Sequence, residues 1–375
     1  MSFSETAKSA LFRSTASIER VVSPSRVARI ESATNFLVLQ HATALGTVIH
    51  ATPLIPALHE TVPGCRIAVA ASGFGLEVLR NNPGIDSLFE TPSPLRDLAG
   101  AVRALRAQNP FREAPYVTLT PTGNERTKVA LQAVLSGAAT RIGFTVVPEL
   151  YRVPMSFDFS RSQIANNLRI VEALGHAVEH FEPQVFFTAE DAAGARRLLV
   201  DSGACLDRPF AVFITQTSVT QRKSWRAERF QQIASFLFEQ YGMMPVFVGT
   251  AAESDAIEKL RGGLRIHSVN VAGKTNLPGL AALMSLAKVG VSLDTGPLHI
   301  ARAVGLPTVV IAPAWSPPVE WLPVGDSRFR ILKNADMPAA TPDYIIDEVS
   351  VDDVTGALTD LLQVHPRQTE START

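Results

Sequence analysis

The sequence predicts an α/β protein built from two doubly wound halves, each with its own parallel sheet. From residue 35 onward, short apolar runs alternate with amphipathic segments. The runs are rich in Val and Ile and show little polar alternation, as expected for strands covered by helices on both faces. Near residues 180–209 the alternation is interrupted, where Pro183 and Pro209 flank an acidic, alanine-rich helix. This interruption separates the two halves.

The predicted strands are the short apolar runs themselves. In the first half they are 36–39, 67–71, 116–119 and 141–144. In the second half they are 211–215, 246–249, 289–293, 308–312 and 329–332. Alternating strands and helices imply parallel sheets with right-handed crossovers. Ligands of such sheets bind beyond the carboxyl ends of the strands, so the loops that follow the strands are the candidate sites.

Helices are predicted where apolar residues recur every three or four positions. Segment 225–242 shows this spacing and ends at Gly242, a residue suited to closing a helix. Segment 36–58 continues from its strand into a helical pattern that Pro53 and Pro56 are expected to kink or break. Segment 346–362 is apolar near helical spacing and predicts a C-terminal helix.

Composition excludes several classes of protein. Across 375 residues, 35 Lys and Arg balance 35 Asp and Glu, which argues against a nucleic-acid partner. Hydrophobic residues make up 46%, enough for large cores. The longest uncharged stretch, 32–59, is broken by His, Gly and Pro, so we expect no membrane-spanning helix, and the first residues lack the apolar core of a secretory signal. Two distant cysteines, Cys65 and Cys205, give no disulfide framework and no metal-ligand spacing, which favours a reducing cytoplasm.

Common catalytic motifs are absent from the sequence. It has no Walker A loop, no H-E-x-x-H, no C-x-x-C, no G-x-S-x-G and no D-x-D. Gly73-Phe74-Gly75 lacks the third glycine of a dinucleotide fingerprint, so a dehydrogenase is not favoured.

The most informative stretch is 288–313, where a strand runs into Asp294-Thr295-Gly296-Pro297. Pro297 suits the first turn of a helix, and Gly296 lets the backbone approach a ligand. The free N–H groups of a new helix form an anion site, suited to a pyrophosphate. His299, one turn in, could donate to a phosphate or sugar oxygen. The alternative is an ordinary helix capped by Asp294 or Thr295.

A second stretch, 212–230, places hydroxyl side chains and Lys223 between a strand and a helix; the hydroxyls belong to Thr215, Thr217, Ser218 and Thr220. Hydroxyls and one lysine there make a plausible diphosphate clamp. A solvated basic helix start is the alternative. Glu253 follows the next strand and could accept hydrogen bonds from ribose hydroxyls, although first-turn glutamates are common.

The third stretch is the strand-to-helix connection of the first half. Thr47 and His50 stand at positions i and i+3 after a turn at Gly46, so a helix places them on one face. His50 is a candidate proton acceptor near neutral pH. A histidine with a structural hydrogen bond is the alternative.

Taken together, these stretches resemble glycosyltransferase family 9, the ADP-heptose:lipopolysaccharide heptosyltransferases. The resemblance covers about residues 35–335 and rests on ALGTVIHATPLIPALHETVPG, NNPGIDSLFE, GAATRIGF, RKSWRAERF and above all AGKTNLPGL…SLDTGPLHI. It implies a GT-B fold, in which two Rossmann-like doubly wound domains face a cleft. The expected division is an extension at 1–34, an acceptor-side domain at 35–185, a donor-binding domain at 186–345, and a C-terminal helix and tail at 346–375. By analogy with GT-B enzymes, that helix is expected to cross back to the first domain.

The resemblance implies an inverting transfer of a sugar, commonly heptose from ADP-heptose, to a lipopolysaccharide-type or other glycan acceptor. The nucleotide sugar is a co-substrate, and no metal or other cofactor is expected. By position, the diphosphate is assigned to Thr217, Ser218 and Lys223, the ribose to Glu253, and the adenine loop to Thr275. The donor sugar and phosphates are assigned to Asp294, Thr295, Gly296 and His299. Arg126, Lys128 and Arg141 are candidates for anionic groups of the acceptor, although Arg141 could instead support the sheet edge.

The sequence departs from the family at one important position. The family's opening motif reads Gly-Asp, and its aspartate is taken as the general base, whereas this chain has Gly46-Thr47. Loss of a general base typically lowers a rate by about 10²–10⁴-fold. Either His50 or His41 has taken the role, or the enzyme is slow and relies on leaving-group stabilisation, or the protein binds nucleotide sugars without transfer. We favour His50, because it shares the face of Thr47. A nucleotide-sugar epimerase of the same fold is a further alternative.

The expected partners are a nucleotide sugar and a glycan or glycolipid acceptor. The expected location is the cytoplasm, with possible peripheral contact at the cytoplasmic face of the inner membrane. Basic residues spaced through 1–34 could lie on an anionic membrane or on a solvated helix, and we favour the helix.

Overall fold

The structure, a computed structural model, describes residues 30–138, 140–217, 223–334, 336–337, 341 and 344–365, together with residues 12 and 14. The first half contains β1 (Asn35–Gln40), α1 (Leu45–Ala51), α2 (Leu54–Thr61), β2 (Arg66–Ala71), α3 (Phe74–Leu79), β3 (Ser87–Glu90), α4 (Leu98–Gln108), β4 (Val117–Thr120), α5 (Thr127–Leu135), β5 (Thr140–Phe144), β6 (Val153–Met155) and α6 (Gln163–Glu172).

The second half repeats the alternation of strands and helices. It contains α7 (Ala189–Asp201), β7 (Phe210–Ile214), α8 (Ala227–Tyr241), β8 (Met244–Phe247), α9 (Ser254–Arg261), β9 (Val269–Asn270), α10 (Leu277–Leu286), β10 (Val289–Leu293), α11 (Gly296–Ala303), β11 (Thr308–Ile311), α12 (Pro318–Trp321), β12 (Phe329–Leu332) and α13 (Val351–Val364). Contacts divide the chain into two units, Met1–Pro183 and Gln184–Thr375, whereas the sequence analysis drew its boundary at 185/186.

Each unit has a six-stranded sheet with the same topology. The strand order is β3-β2-β1-β4-β5-β6 in the first unit and β12-β11-β10-β7-β8-β9 in the second. The pairings between neighbouring strands are parallel. Counted from the first strand of its own unit, each sheet reads 3-2-1-4-5-6, and its order reverses between β1 and β4 or between β7 and β10. The predicted fold class of two doubly wound parallel sheets is confirmed.

The central strand β1 shows why the apolar runs lack polar alternation. Phe36 and Val38 pack in one cluster with side chains of α2 and α6, such as Leu58. Leu37 and Leu39 pack on the opposite face with side chains of α4 and α5. Because helices cover both faces, every position along the strand is selected for an apolar side chain.

The predicted strands are confirmed to within two residues, but three short strands were not predicted. They are β3, β6 and β9, and each lies at or near the edge of its sheet. β9 has only two residues and β6 contains Pro154, so neither offers an apolar run. The expected break near the prolines is confirmed, since α1 ends at Ala51 and Pro53 caps α2. Gly242 closes α8 in the left-handed region, at φ 64°, as predicted.

The C-terminal helix α13 belongs to the second unit. Val354, Leu358 and Leu361 are fully buried in the core that also holds residues of β11 and α8. The apolar stripe of this helix therefore packs in the core of its own unit. Among the described residues, no helix combines the length and apolar character needed to cross a membrane.

Candidate active site

The strand-order reversal of the second unit holds a buried ion pair. Lys223 follows β7 and Asp294 follows the neighbouring strand β10. The ammonium of Lys223 donates to Oδ2 of Asp294 at 2.6 Å, and the two side chains are only 11% and 4% exposed. Two residues singled out from separate motifs, 71 positions apart, are thus brought into contact. Two buried opposite charges thus meet at this edge, with the carboxylate holding the ammonium in place. A fixed ammonium of this kind suits an anionic ligand.

The start of α11 lies directly beside this pair. Thr295 is the N-cap residue, but its side chain makes no cap hydrogen bond, and the carboxylate of Asp294 is engaged by Lys223. The alternative of a helix capped by either side chain is therefore not observed. Thr295 and Gly296 are half-buried, so solvent reaches the first turn. An accessible first turn next to a lysine suits an anion.

His299 lies one turn into α11 and is buried, at 4% exposure. Burial lowers the pKa of His299 to about 4; the charge of Asp294 opposes this effect, while those of Arg302 and Lys223 add to it. The imidazole is therefore neutral at pH 7 and can offer a hydrogen bond, not a charge. Its ring centroid lies 6.0 Å from that of Trp321.

Trp315 is a site residue that sequence reasoning missed. It follows β11 and places its ring over the ammonium of Lys223, with 5.4 Å between nitrogen and ring centroid. An aromatic face attracts a cation and shields it from water. The available signal was a tryptophan in a loop directly after a predicted strand, at the same sheet edge as the other candidates.

Glu253 and Thr275 follow the next two strands of the same sheet, β8 and β9. The carboxylate of Glu253 accepts the backbone N–H of Thr250 at 2.7 Å, so it closes a capping box. Gly273, at φ 72°, holds the loop of Thr275 against the loop of Glu253, since a Cβ there would lie 2.6 Å from Cα of Ala251. The four loops that follow β7, β8, β9 and β10 therefore lie at one sheet edge, and each carries at least one predicted donor residue. Thr217 is half-buried after β7, and Ser218 lies outside the described residues.

In the first unit, Thr47 and His50 lie on α1 and both are buried. Thr47 is 7% exposed and His50 only 1%. The loop after β4 lies directly on Thr47, because a Cβ on Gly123 would be 2.3 Å from its methyl carbon Cγ2. Thr47 thus stands at the rim of the strand-order reversal, whereas the ring of His50 is enclosed.

A neutral hydrogen-bond network fills the reversal point between β1 and β4. Oδ1 of Asn124 accepts the backbone N–H of His41 at 2.6 Å, and its amide donates to Oε1 of Gln40 at 3.0 Å. Asn167 on α6 donates to the carbonyl of His50 and to the hydroxyl of Thr122. Sequence reasoning missed both asparagines. The signal for Asn124 was its place in a Gly-containing loop directly after a strand.

His41 belongs to the same network and is buried. Its Nδ1 lies 3.0 Å from the hydroxyl of Ser72. Burial lowers the pKa of His41 to about 4, and the nearby amide of Gln132 opposes this effect. His41 is therefore neutral at pH 7.

The basic acceptor candidates divide into exposed and buried residues. Arg126 and Lys128 are exposed at the start of α5, where they donate to the carbonyls of Glu125 and Leu95. Arg141 is buried on β5 and donates to the carbonyl of Leu150 at 2.6 Å, so it supports the sheet edge. In the part of the chain that the structure describes, no three His, Cys, Asp or Glu side chains form a group able to hold a metal ion.

Comparison with known proteins gives one matching family and several relatives. The model of glycosyltransferase family 9 (heptosyltransferase) matches residues 123–341. The lipopolysaccharide core heptosyltransferase OpsX of Haemophilus influenzae is 32% identical over 100 residues, which are 26% of this chain and 28% of that protein. The matched stretch thus spans under a third of that relative's length.

Two solved structures share the fold over most of the chain. One is the glycosyl transferase family 9 from Veillonella parvula, with a TM-score of 0.79 and 20% identity, covering 89% of this chain and 98% of that one. The other is the ADP-heptose LPS heptosyltransferase II of Escherichia coli, with a TM-score of 0.71 and 18% identity, covering 88% and 99%. At 20% and 18% sequence identity, these similarities show a shared fold.

Proposed function

This chain belongs to glycosyltransferase family 9, and on that premise we propose that it is an inverting glycosyltransferase. The proposed reaction moves a sugar, heptose from ADP-heptose, onto a lipopolysaccharide-type or other glycan acceptor. The buried Lys223–Asp294 pair at the strand-order reversal carries the proposal, because it supplies a fixed cation where parallel sheets bind ligands. ADP-heptose also stands in the name of the E. coli heptosyltransferase II, which has the same fold.

The second unit is proposed to bind the donor. The ammonium of Lys223 takes the diphosphate, helped by the first turn of α11 at Thr295 and Gly296 and by Thr217 and Ser218. Asp294 holds the ammonium in position and contacts the donor sugar, and neutral His299 donates to a sugar or phosphate oxygen. Glu253 is assigned to the ribose and Thr275 to the adenine. Negative charge grows on the diphosphate as the sugar–oxygen bond breaks, and a preorganised cation stabilises that charge.

The first unit is proposed to bind the acceptor. Exposed Arg126 and Lys128 suit anionic groups on a glycan or glycolipid. Thr47 is suited to orient the acceptor hydroxyl. Because His50 is 1% exposed, direct contact of its ring with an acceptor is disfavoured, and its assignment as base loses support. The proposed location is the cytoplasm, with peripheral contact at the inner membrane where a lipid-linked acceptor would lie.

A second candidate function is nucleotide-sugar binding without transfer. The observation that favours it is Thr47, since α1 carries no carboxylate. Both functions require the donor site of the second unit, and they differ in whether a glycosylated product forms.

The proposal is tested by calorimetric titration with ADP, UDP, GDP and CDP. Wild type is compared with Lys223→Met and Asp294→Asn, and Lys259→Ala, an exposed lysine in the last turn of α9, serves as the matched control. We expect ADP to bind best, both site variants to lose at least tenfold in affinity, and the control to match wild type. Preference for another nucleotide would rule out ADP-heptose as the donor. Equal binding of ADP by wild type and all variants would rule out this donor site. Product analysis with ADP-heptose and an acceptor then separates transfer from binding.

A further inference from the structure

Glu125 is a half-buried carboxylate at the strand-order reversal of the first unit. It lies in the loop 121–126 that connects β4 to α5, beside the central strand β1. The two segments that flank this point are 41–53 and 121–126, and Glu125 is the only carboxylate in either. Sequence reasoning did not assign it a role.

The loop joins Glu125 to Thr47. Gly123, two residues before Glu125, packs against Thr47, because a Cβ at that glycine would lie 2.3 Å from the methyl carbon Cγ2 of the threonine. The loop that carries Glu125 is therefore in van der Waals contact with the threonine. Gly123 has φ 80° and no room for a side chain, so the loop can lie this close to α1 only with glycine at that position.

The surroundings of Glu125 suit a base. Partial burial raises the pKa of its carboxyl above the usual value, while the backbone N–H bonds and the charge of Arg126 oppose that effect. From the segment after β5, the neighbouring titratable group is Tyr151, whose pKa is raised to about 12 chiefly by burial, while its hydroxyl pairs with that of Thr120. A raised pKa makes the Glu125 carboxylate a stronger base than an ordinary glutamate, whereas Tyr151 keeps its proton at pH 7.

The other titratable side chains near Thr47 are less suited to meet a substrate. His50 is 1% exposed and His41 is 4% exposed. His41 also contacts Ser72 through Nδ1, and its lowered pKa makes it a weak base. A partly exposed carboxylate has the better access to an acceptor hydroxyl.

We propose that Glu125 is the catalytic base of the sugar transfer, supplying the carboxylate that α1 lacks at Thr47. The acceptor hydroxyl oxygen forms a bond to C1 of the donor sugar and gives its proton to the carboxylate of Glu125. The bond from C1 to the diphosphate breaks, and its electron pair leaves on the phosphate oxygen with the nucleoside diphosphate. This inference rests on the proposed function.

The test measures transfer of heptose from ADP-heptose to a lipopolysaccharide acceptor that lacks heptose. Glu125→Gln is expected to lower kcat by about 10²–10⁴-fold. ADP affinity should stay within twofold of wild type, which shows that the protein is folded and its donor site intact. The wild-type rate should fall at acidic pH as Glu125 becomes protonated, and this acidic limb should be absent in Glu125→Gln.

Two further variants sharpen the test. Glu90→Gln removes an exposed carboxylate at the end of β3, on the same sheet edge, and should behave as wild type. Thr47→Asp, added to Glu125→Gln, restores a carboxylate at the position that the loop of Glu125 contacts, and it should recover at least tenfold in kcat. If Glu125→Gln keeps kcat within threefold and retains the acidic limb, the base assignment is overturned and the transferase function stands. If wild type binds ADP but forms no product under any condition, both the function and the base assignment fall.

Discussion

The two units have the same strand order but place different chemistry where that order reverses. In the second unit the reversal between β7 and β10 holds the ion pair of Lys223 and Asp294. In the first unit the buried part of the reversal between β1 and β4 holds neutral amides, with Asn124 bridging Gln40 and the backbone of His41, and the carboxylate of Glu125 lies partly exposed in the same loop. The difference lies in the loops, because the sheets and their crossovers are alike.

This difference indicates which kind of ligand each sheet edge suits. A buried ion pair gives up the hydration of both charges, so by itself it is poor evidence of stabilisation, and a ligand that needs the cation is the better explanation. A buried amide network fixes loops without burying a charge, which suits a neutral hydroxyl substrate. Under the proposed function, one topology would serve an anionic leaving group in one unit and an uncharged nucleophile in the other.

The largest effect is expected from breaking the charged reversal point. Asp294→Ala leaves the ammonium of Lys223 buried without its carboxylate, which should cost about 3–5 kcal/mol of unfolding free energy. The measurement is urea unfolding followed by tryptophan fluorescence. The three tryptophans, Trp225, Trp315 and Trp321, all belong to the second unit, so the signal reports on that unit alone.

The matched control for this prediction is a solvent-exposed pair in the same unit. Asp360 on α13 pairs with Arg330 at 2.6 Å, but its side chain is 54% exposed. Asp360→Ala should therefore shift the urea midpoint little. A similar loss for Asp294→Ala and Asp360→Ala would show that water reaches the Lys223 pair and would remove the contrast between the two reversal points.

A smaller effect is expected from breaking the neutral network. Asn124→Ala removes the partner of the His41 backbone N–H and one of two donors to Oε1 of Gln40, which still accepts the backbone N–H of Ala42. One unsatisfied buried group costs about 1–3 kcal/mol. Amide hydrogen exchange should show loss of protection in β1 and β4, while the tryptophan transition stays at its wild-type position. Gln108→Ala, which removes an exposed amide bonded to the carbonyl of Glu90, is the control. Loss of tryptophan-reported stability in Asn124→Ala would mean that the two units do not unfold independently.

The fold was predictable because both faces of the central strands are covered. A buried strand such as 289–293 can be recognised from its own apolar residues, without knowledge of its neighbouring strands. The alternation of such strands with helices along the chain then predicts parallel sheets. Lys223 and Asp294 could be assigned to one edge for the same reason. Their direct contact could not be predicted, because periodicity does not say that the strand before Lys223 neighbours the strand before Asp294. That information lies in the crossovers.

His50 illustrates what helical spacing leaves out. Its position three residues after Thr47 predicts a shared face, but not whether that face meets solvent. In the structure α1 is buried from Gly46 to Ala51, so this part of the helix has no solvent-exposed side. Asn124, Glu125 and Trp315 were missed for a different reason. Each lies in an irregular loop, where the sequence has no period to interpret, and only the tertiary contacts give the side chain a partner.

The smallest expected effect concerns a property that the two units share, a buried neutral histidine. His299 in the second unit and His41 in the first both have a folded-state pKa of about 4 because of burial. In an unfolded chain histidine titrates near 6.5, so between pH 6.5 and 4 the unfolded state binds the extra proton. Stability should therefore fall as the pH falls through this window, by about 1.5 kcal/mol per histidine between pH 6.5 and 5.

The variants His299→Gln and His41→Gln assign this pH dependence to one unit at a time. His299→Gln should flatten the dependence of the tryptophan-reported transition between pH 6.5 and 5, while the exchange protection of β1 still weakens on acidification. His41→Gln should do the reverse. A tryptophan transition in His299→Gln that stays as sensitive to acid as in wild type would show that the imidazole is hydrated in the folded protein. Water would then reach beyond the accessible first turn of α11 to His299, and the ion pair of Lys223 and Asp294 would have to be described as an open site and not as a buried one.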